Sequence, residues 1–140
     1  MLPMDDTPQL QEWYDDEAKK HGKTGGFVMV PSGPTFVHVT EDPDKTWSEI
    51  GEYLLYETQT YASYQTDGQK SLPTVHAESV DDLKASPQIL VGTPDDVIAR
   101  AQTLLPTGAL TFNPLCGGLP PDLAWPSLEL FAEKVLPHLK

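Results

Sequence analysis

Cys116 is the only thiol in the 140-residue chain, and it lies in Asn113-Pro114-Leu115-Cys116-Gly117-Gly118-Leu119, directly after a short apolar run. Loops that follow the strands of parallel α/β proteins are where binding and catalytic groups gather. A thiol becomes a nucleophile only when a neighbouring base or helix N-terminus lowers its pKa, and no pattern in the chain supplies that base. The two glycines beside it have two uses: they let backbone approach a ligand closely, or they give a strand-to-helix turn its positive φ. His38 sits inside an apolar run and shares a strand face with Phe36 and Thr40, so it either lines a pocket or is a hydrogen-bonded core residue. The histidines, at 21, 38, 76 and 138, share no ligand spacing, and with one cysteine no metal site is expected. Neighbouring acids, as in Asp15-Asp16-Glu17, Asp81-Asp82 and Asp95-Asp96, point about a hundred degrees apart on a helix, which suits dipole and solvent roles better than paired acid–base work. Neither a phosphate loop nor a three-glycine dinucleotide fingerprint is present.

Those residues have to be positioned by regular elements, and the periodicity predicts them. Leu10, Trp13, Tyr14 and Ala18 form a helical stripe after Thr7-Pro8, closed by His21-Gly22. Phe27-Val28-Met29-Val30 is a short apolar run, ended by Pro31-Ser32-Gly33-Pro34, and Phe36-Val37-His38-Val39 reads as a buried strand. Asp42 caps a helix with Pro43 at its first position, and Trp47, Ile50, Leu54, Thr58 and Tyr61 line one face up to about Tyr64. Residues 66–80 are polar and aperiodic, an exposed excursion. Ile89-Leu90-Val91 then reads as a strand that ends at Gly92, and Thr93-Pro94-Asp95-Asp96 as a helix start, with Val97, Ile98, Ala101, Leu104 and Leu105 as its apolar stripe. Ala109-Leu110-Thr111-Phe112 reads as a third strand, so 89–112 is expected to be a βαβ unit with parallel, adjacent strands. Pro120-Pro121-Asp122 opens a last helix through Leu128, Phe131, Val135 and Leu139.

Composition restricts the class of function. Twenty-one acids against nine Lys and Arg give a formal charge of −12, which repels phosphate backbones and anionic lipid, so neither nucleic acid nor a membrane is an expected partner. Hydrophobic residues at 39% and charged residues at 21% are ordinary for a globular domain. No apolar stretch approaches the roughly 20 residues of a membrane span, and Met1-Leu2-Pro3-Met4-Asp5-Asp6 lacks the basic and apolar regions of a secretory signal. With a single cysteine, a reducing, cytoplasmic setting is the expectation.

Three stretches, taken together and in order, resemble the C-terminal end of the luciferase-like monooxygenase superfamily. They are Phe36-Val37-His38-Val39-Thr40-Glu41-Asp42-Pro43 followed by Trp47; Ile89-Leu90-Val91-Gly92-Thr93-Pro94-Asp95-Asp96-Val97; and Pro114-Leu115-Cys116-Gly117-Gly118-Leu119-Pro120-Pro121 through Leu136-Pro137. The resemblance implies an oxidoreductase that uses FMN or a deazaflavin on a small-molecule substrate, with the chemistry belonging to the cofactor. It implies an α/β fold: the C-terminal part of a (β/α)8 TIM-type barrel, about three strand-helix repeats plus an N-terminal helix, forming one partial-barrel domain over 1–140 with an open parallel sheet. Such a barrel needs about 250 residues, so the chain is expected to be incomplete and inactive alone, with a second chain or self-association completing it. The residues left to border the cofactor are Gly92, Thr93, Asn113, Cys116, Gly117 and Gly118, and no catalytic residue can be carried over. An open sheet edge also supports an alternative, a non-catalytic α/β module that pairs with another chain through that edge.

Overall fold

The computed structural model of the protein describes residues 7–24, 26, 33–65, 76–104 and 108–139. The apolar run at 27–30 and most of the 66–80 excursion lie outside the described residues. The helix α1 spans Thr7–Lys20, and its expected apolar stripe is not buried, with Trp13 53% and Tyr14 44% exposed.

Two strands make the centre. Strand β1, Phe36–Val39, and strand β2, Ile89–Gly92, pair in parallel with Phe36 opposite Ile89 and Val39 opposite Gly92. All four residues of β1 are buried, because helices cover both faces of the pair. Phe36, Ile89 and Val91 pack with Trp47, Ile50, Leu54, Leu83 and Leu119 on one side. Val37, Val39 and Leu90 pack with Val97, Val135 and Phe131 on the other. Strand alternation sorts the residues between the two layers, which is why the sequence shows continuous apolar runs here and no polar face.

The link between the strands is helical, as a parallel pair requires. Helix α2, Pro43–Ser63, starts where Asp42 accepts the Lys45 backbone N–H at 3.0 Å, with Pro43 in the first turn. A short helix α3, Val80–Ala85, follows. Its Ser79 and Asp82 bond each other's backbone reciprocally, a capping box that the Ser-x-x-Asp spacing announces and that the reading of 66–80 as featureless excursion passed over. Helix α4, Pro94–Leu104, begins with the expected box: Asp96 accepts the Thr93 N–H at 2.9 Å and its hydroxyl at 2.6 Å. Helix α5, Pro121–Leu130, runs into a π turn at Phe131–Val135 and a short 3₁₀ turn at Leu136–His138.

The expected three-repeat piece of a (β/α)8 barrel is therefore corrected. The described residues hold one two-stranded sheet in a predominantly helical structure, and 109–112 is not a strand. The parallel crossover runs from β1 to β2 and not from 89 to 112. Leu110 and Phe112 still turn inward against the layer of Val37, Val39 and Val97, while Ala109 and Thr111 stay exposed. Alternation survives there, but a strand also needs a neighbour's backbone, and no ladder forms at 109–112 among the described residues. On β1 the amide of Val39 is taken by the buried Ser127 hydroxyl at 2.7 Å, so this strand does not present a bare edge along its whole length. Among the described residues no helix is long and apolar enough to cross a membrane.

Capping makes the fold acid-sensitive in a definite direction. Hydrogen bonds from the Thr93 side chain and backbone hold the exposed Asp96 carboxyl below its ordinary pKa. A carboxylate with a lowered folded pKa stabilises above its unfolded value, about 3.9, and that stability disappears as pH falls through the folded value. Thermal melts between pH 6 and 2 should therefore show a steeper acid loss for the native chain than for Asp96→Asn. Thr93→Ala should cost about 1 kcal/mol at neutral pH, measured by denaturant unfolding.

Candidate functional site

The 113–119 loop is held by a residue far away in sequence. Glu57, on the buried-to-exposed boundary of α2, accepts the Asn113 side-chain amide at 3.0 Å through one oxygen and the Gly117 backbone N–H through the other. Between them Cys116–Gly118 makes a single 3₁₀ turn, with Gly117 at φ +59 and Gly118 at φ +82. Both are in the left-handed region, which glycine adopts without steric penalty. Gly117 has a second constraint: a Cβ at this position would run into the backbone carbonyl of Tyr53, so the loop lies directly against α2.

Beside this clamp is a cavity of about 260 Å³, walled by Phe36, Leu54, Ile89 and Cys116, with Glu57, Tyr61 and Asn113 as polar members. A second hollow of about 370 Å³ shares Glu57 and Tyr61 and continues past Tyr56, Tyr64, Leu115 and the two loop glycines. The loop was expected at the C-terminal ends of the strands. Its cavity instead meets Thr35, Phe36 and Ile89, where both strands begin.

Cys116 is no nucleophile in this setting. Burial pushes its pKa up, and the charge and hydrogen bond of Glu57 push it further. The thiol stays protonated through the physiological range, so only its volume and weak S–H are on offer. Glu57→Gln removes the charge while keeping a hydrogen-bonding group. Each unit by which the pKa falls should raise the thiolate fraction about tenfold, and the reaction rate with a disulfide reagent roughly threefold, because a less basic thiolate is a weaker nucleophile. Stopped-flow thiol titration of the native chain and the variant at pH 8 measures this, and equal rates would contradict it.

Of the six residues nominated to border a cofactor, Asn113, Cys116, Gly117 and Gly118 are brought together, and Gly92 and Thr93 are not. Gly92 ends β2 and Thr93 caps α4, at the other end of the strands. A Cβ on Gly92 would sit 3.0 Å from that of Asp96, so packing against the capping carboxylate explains the glycine. The same carboxylate holds the Thr93 N–H and fills the place an anion would take at this helix start. Glu57 and Tyr61 were missed as members of the site. Tyr61 fell on the apolar stripe of α2 and reads there as core, whereas Glu57 resembles any solvent-facing acid until the loop closes on it.

His38 is 6% exposed, and its ring stacks on Phe36 with centroids 6.3 Å apart. Desolvation lowers its pKa, so it is neutral at pH 7. It lines a separate cavity of about 510 Å³ at the C-terminal end of β1. The described His, Cys, Asp and Glu residues form no group that could hold a metal ion.

The chain matches no protein-family model, no curated protein and no solved structure. The fit of a flavin or deazaflavin therefore rests on the cavity itself. A flat ring system with a polar edge suits Phe36, Leu54 and Ile89 as walls and the Asn113 amide and Tyr61 hydroxyl as edge partners. The cavity is smaller than the roughly 300 Å³ at which small-molecule sites usually start, so it takes part of such a ring and not the whole. A phosphate does not fit. No Lys or Arg lines either hollow, Glu57 is anionic, and the Gly117 and Gly118 N–H groups are already bonded to Glu57 and the Leu115 carbonyl.

Proposed function

We propose that the chain forms part of the cofactor-binding wall of a luciferase-like, flavin- or deazaflavin-dependent oxidoreductase acting on a small-molecule substrate. The observation that carries the reading is the Glu57 clamp, which gathers Asn113 and, from the resembling stretch, Cys116, Gly117 and Gly118 beside one cavity with apolar walls. A flavin, when bound, supplies the electron transfer. Phe36, Leu54 and Ile89 exclude water from the ring, and Asn113 keeps its carbonyl oxygen and one amide hydrogen to orient a polar ring edge. Glu57 positions Asn113 and the Gly117 backbone.

The test is fluorescence titration of the purified chain with riboflavin and with FMN. Similar quenching affinities are expected, because recognition of the phosphate would strengthen FMN binding about tenfold or more. No quenching by either, at high excess, would remove the cofactor role from this chain. A second reading is a non-catalytic module that holds another chain, favoured by Tyr56, Tyr61, Tyr64 and Leu115, each more than half exposed beside the same loop. Under that reading flavin leaves the fluorescence unchanged.

A further inference from the structure

We propose that the cavity at the C-terminal end of β1, centred on His38, is a second binding site, for a small organic cation: an alkylammonium or guanidinium compound with a short aliphatic chain. The site is separate from the 113–118 loop and does not depend on the flavin reading. In open α/β folds, ligands collect outside the carboxyl ends of strands, and this cavity occupies that place for β1. Its volume of about 510 Å³ is within the range of small-molecule sites.

Three observations identify the ligand's chemistry. The first is an unused polar group. His38 is more than nine-tenths buried, yet no described residue hydrogen-bonds its ring, and the one sealed, unpartnered side-chain polar atom among the described residues is Gln88 Oε1, not a His38 nitrogen. The ring nitrogens therefore meet the cavity. A neutral imidazole offers one acceptor nitrogen there, which fits a donor-rich cation. Ser127, also buried and lining the cavity, accepts the Val39 N–H and has a second oxygen lone pair to accept from a further donor.

The second is charge. Glu41, Asp42, Glu49 and Asp122 line the cavity against a single cation, Lys45, which already reaches Glu49 at 3.7 Å. An anion would be repelled, and a cation gains from carboxylates at a partly dry surface. A metal ion is excluded as the occupant by geometry, since the described side chains form no cluster of three ligands. The third is the apolar floor of Ile50, Leu123, Pro126 and Leu130, which suits a few methylenes attached to the charged head.

The experiment follows the His38 ring resonances of the purified full chain by ¹H–¹³C NMR during titration with n-butylammonium and with 4-guanidinobutylamine, using butyrate as the anionic control. Saturable shifts are expected with both cations and none with butyrate. His38→Phe preserves the stacking on Phe36, and binding, followed there by calorimetry, should weaken roughly tenfold or more. Asp122→Asn, at an exposed first-turn position, should weaken cation binding with only a small drop in the thermal midpoint from the lost charge at the helix start. Absence of saturation by either cation, equal affinity in His38→Phe and the native chain, or butyrate binding as tightly as butylammonium would each overturn the site. Should His38→Phe fail to fold, unchanged affinity in Asp122→Asn has the same force.

Discussion

Gly117→Ala is expected to be among the most damaging single substitutions in the chain, costing roughly 2–5 kcal/mol in denaturant unfolding. Two costs add. An L-residue held at φ +59 loses about 1–2 kcal/mol to the left-handed conformation. The new methyl would also meet the Tyr53 carbonyl, a helix backbone atom that cannot swing aside as a side chain could, and overpacking of this kind costs about 1–3 kcal/mol. Gly118→Ala separates the two. Its φ of +82 is equally left-handed, but nothing lies within 4 Å of the added Cβ, so only the conformational cost of about 1–2 kcal/mol should appear. Equal losses in the two variants would show that the loop does not press on α2.

Leu54→Ala should cost about 2–5 kcal/mol, the range for truncating a buried leucine. Leu54 is 1% exposed and packs in the cluster with Phe36, Ile50 and Leu119, so its removal leaves a void between α2 and the sheet that rigid neighbours cannot refill. The same side chain walls the 260 Å³ cavity. The variant therefore enlarges the space beside Asn113 while weakening the fold, and a stability loss below about 1 kcal/mol, by chemical denaturation, would mean that Leu54 is not packed as described.

Where the local chemistry settles an element, reading the residues was sufficient. Asp42-Pro43 and Thr93-Pro94-Asp95-Asp96 carry their helix starts in their own side chains, and both caps form as read. The apolar runs of β1 and β2 were equally plain, because β1 is buried on both faces and the half-buried β2 packs apolar residues into both layers, leaving no polar alternation. What could not be read was pairing. Ala109-Leu110-Thr111-Phe112 has the composition and the inward alternation of a strand, yet a ladder depends on another segment's backbone, about which four residues say nothing. The barrel expectation failed at this point, since counting strands assumed neighbours for each.

The site was readable by halves for the same reason. The loop 113–119 identified its own residues, and its glycines do take the positive φ that a tight turn needs. Gly92 and Thr93 joined the set only through shared resemblance, and their roles prove local to the α4 start. Glu57 is 56 residues from Asn113, and nothing in its neighbours marks it as the clamp. The rise in the Cys116 pKa is likewise a property of folding, produced by burial and by that distant carboxylate.

The most direct test of the cofactor proposal is an amide ¹H–¹⁵N NMR titration of the chain with riboflavin, which locates binding as well as detecting it. The account predicts shifts concentrated at 54–61 and 113–118, with 92–96 unmoved because Asp96 already fills the α4 start. Shifts centred on 92–96 with the loop silent, or no shifts at saturating riboflavin, would contradict it.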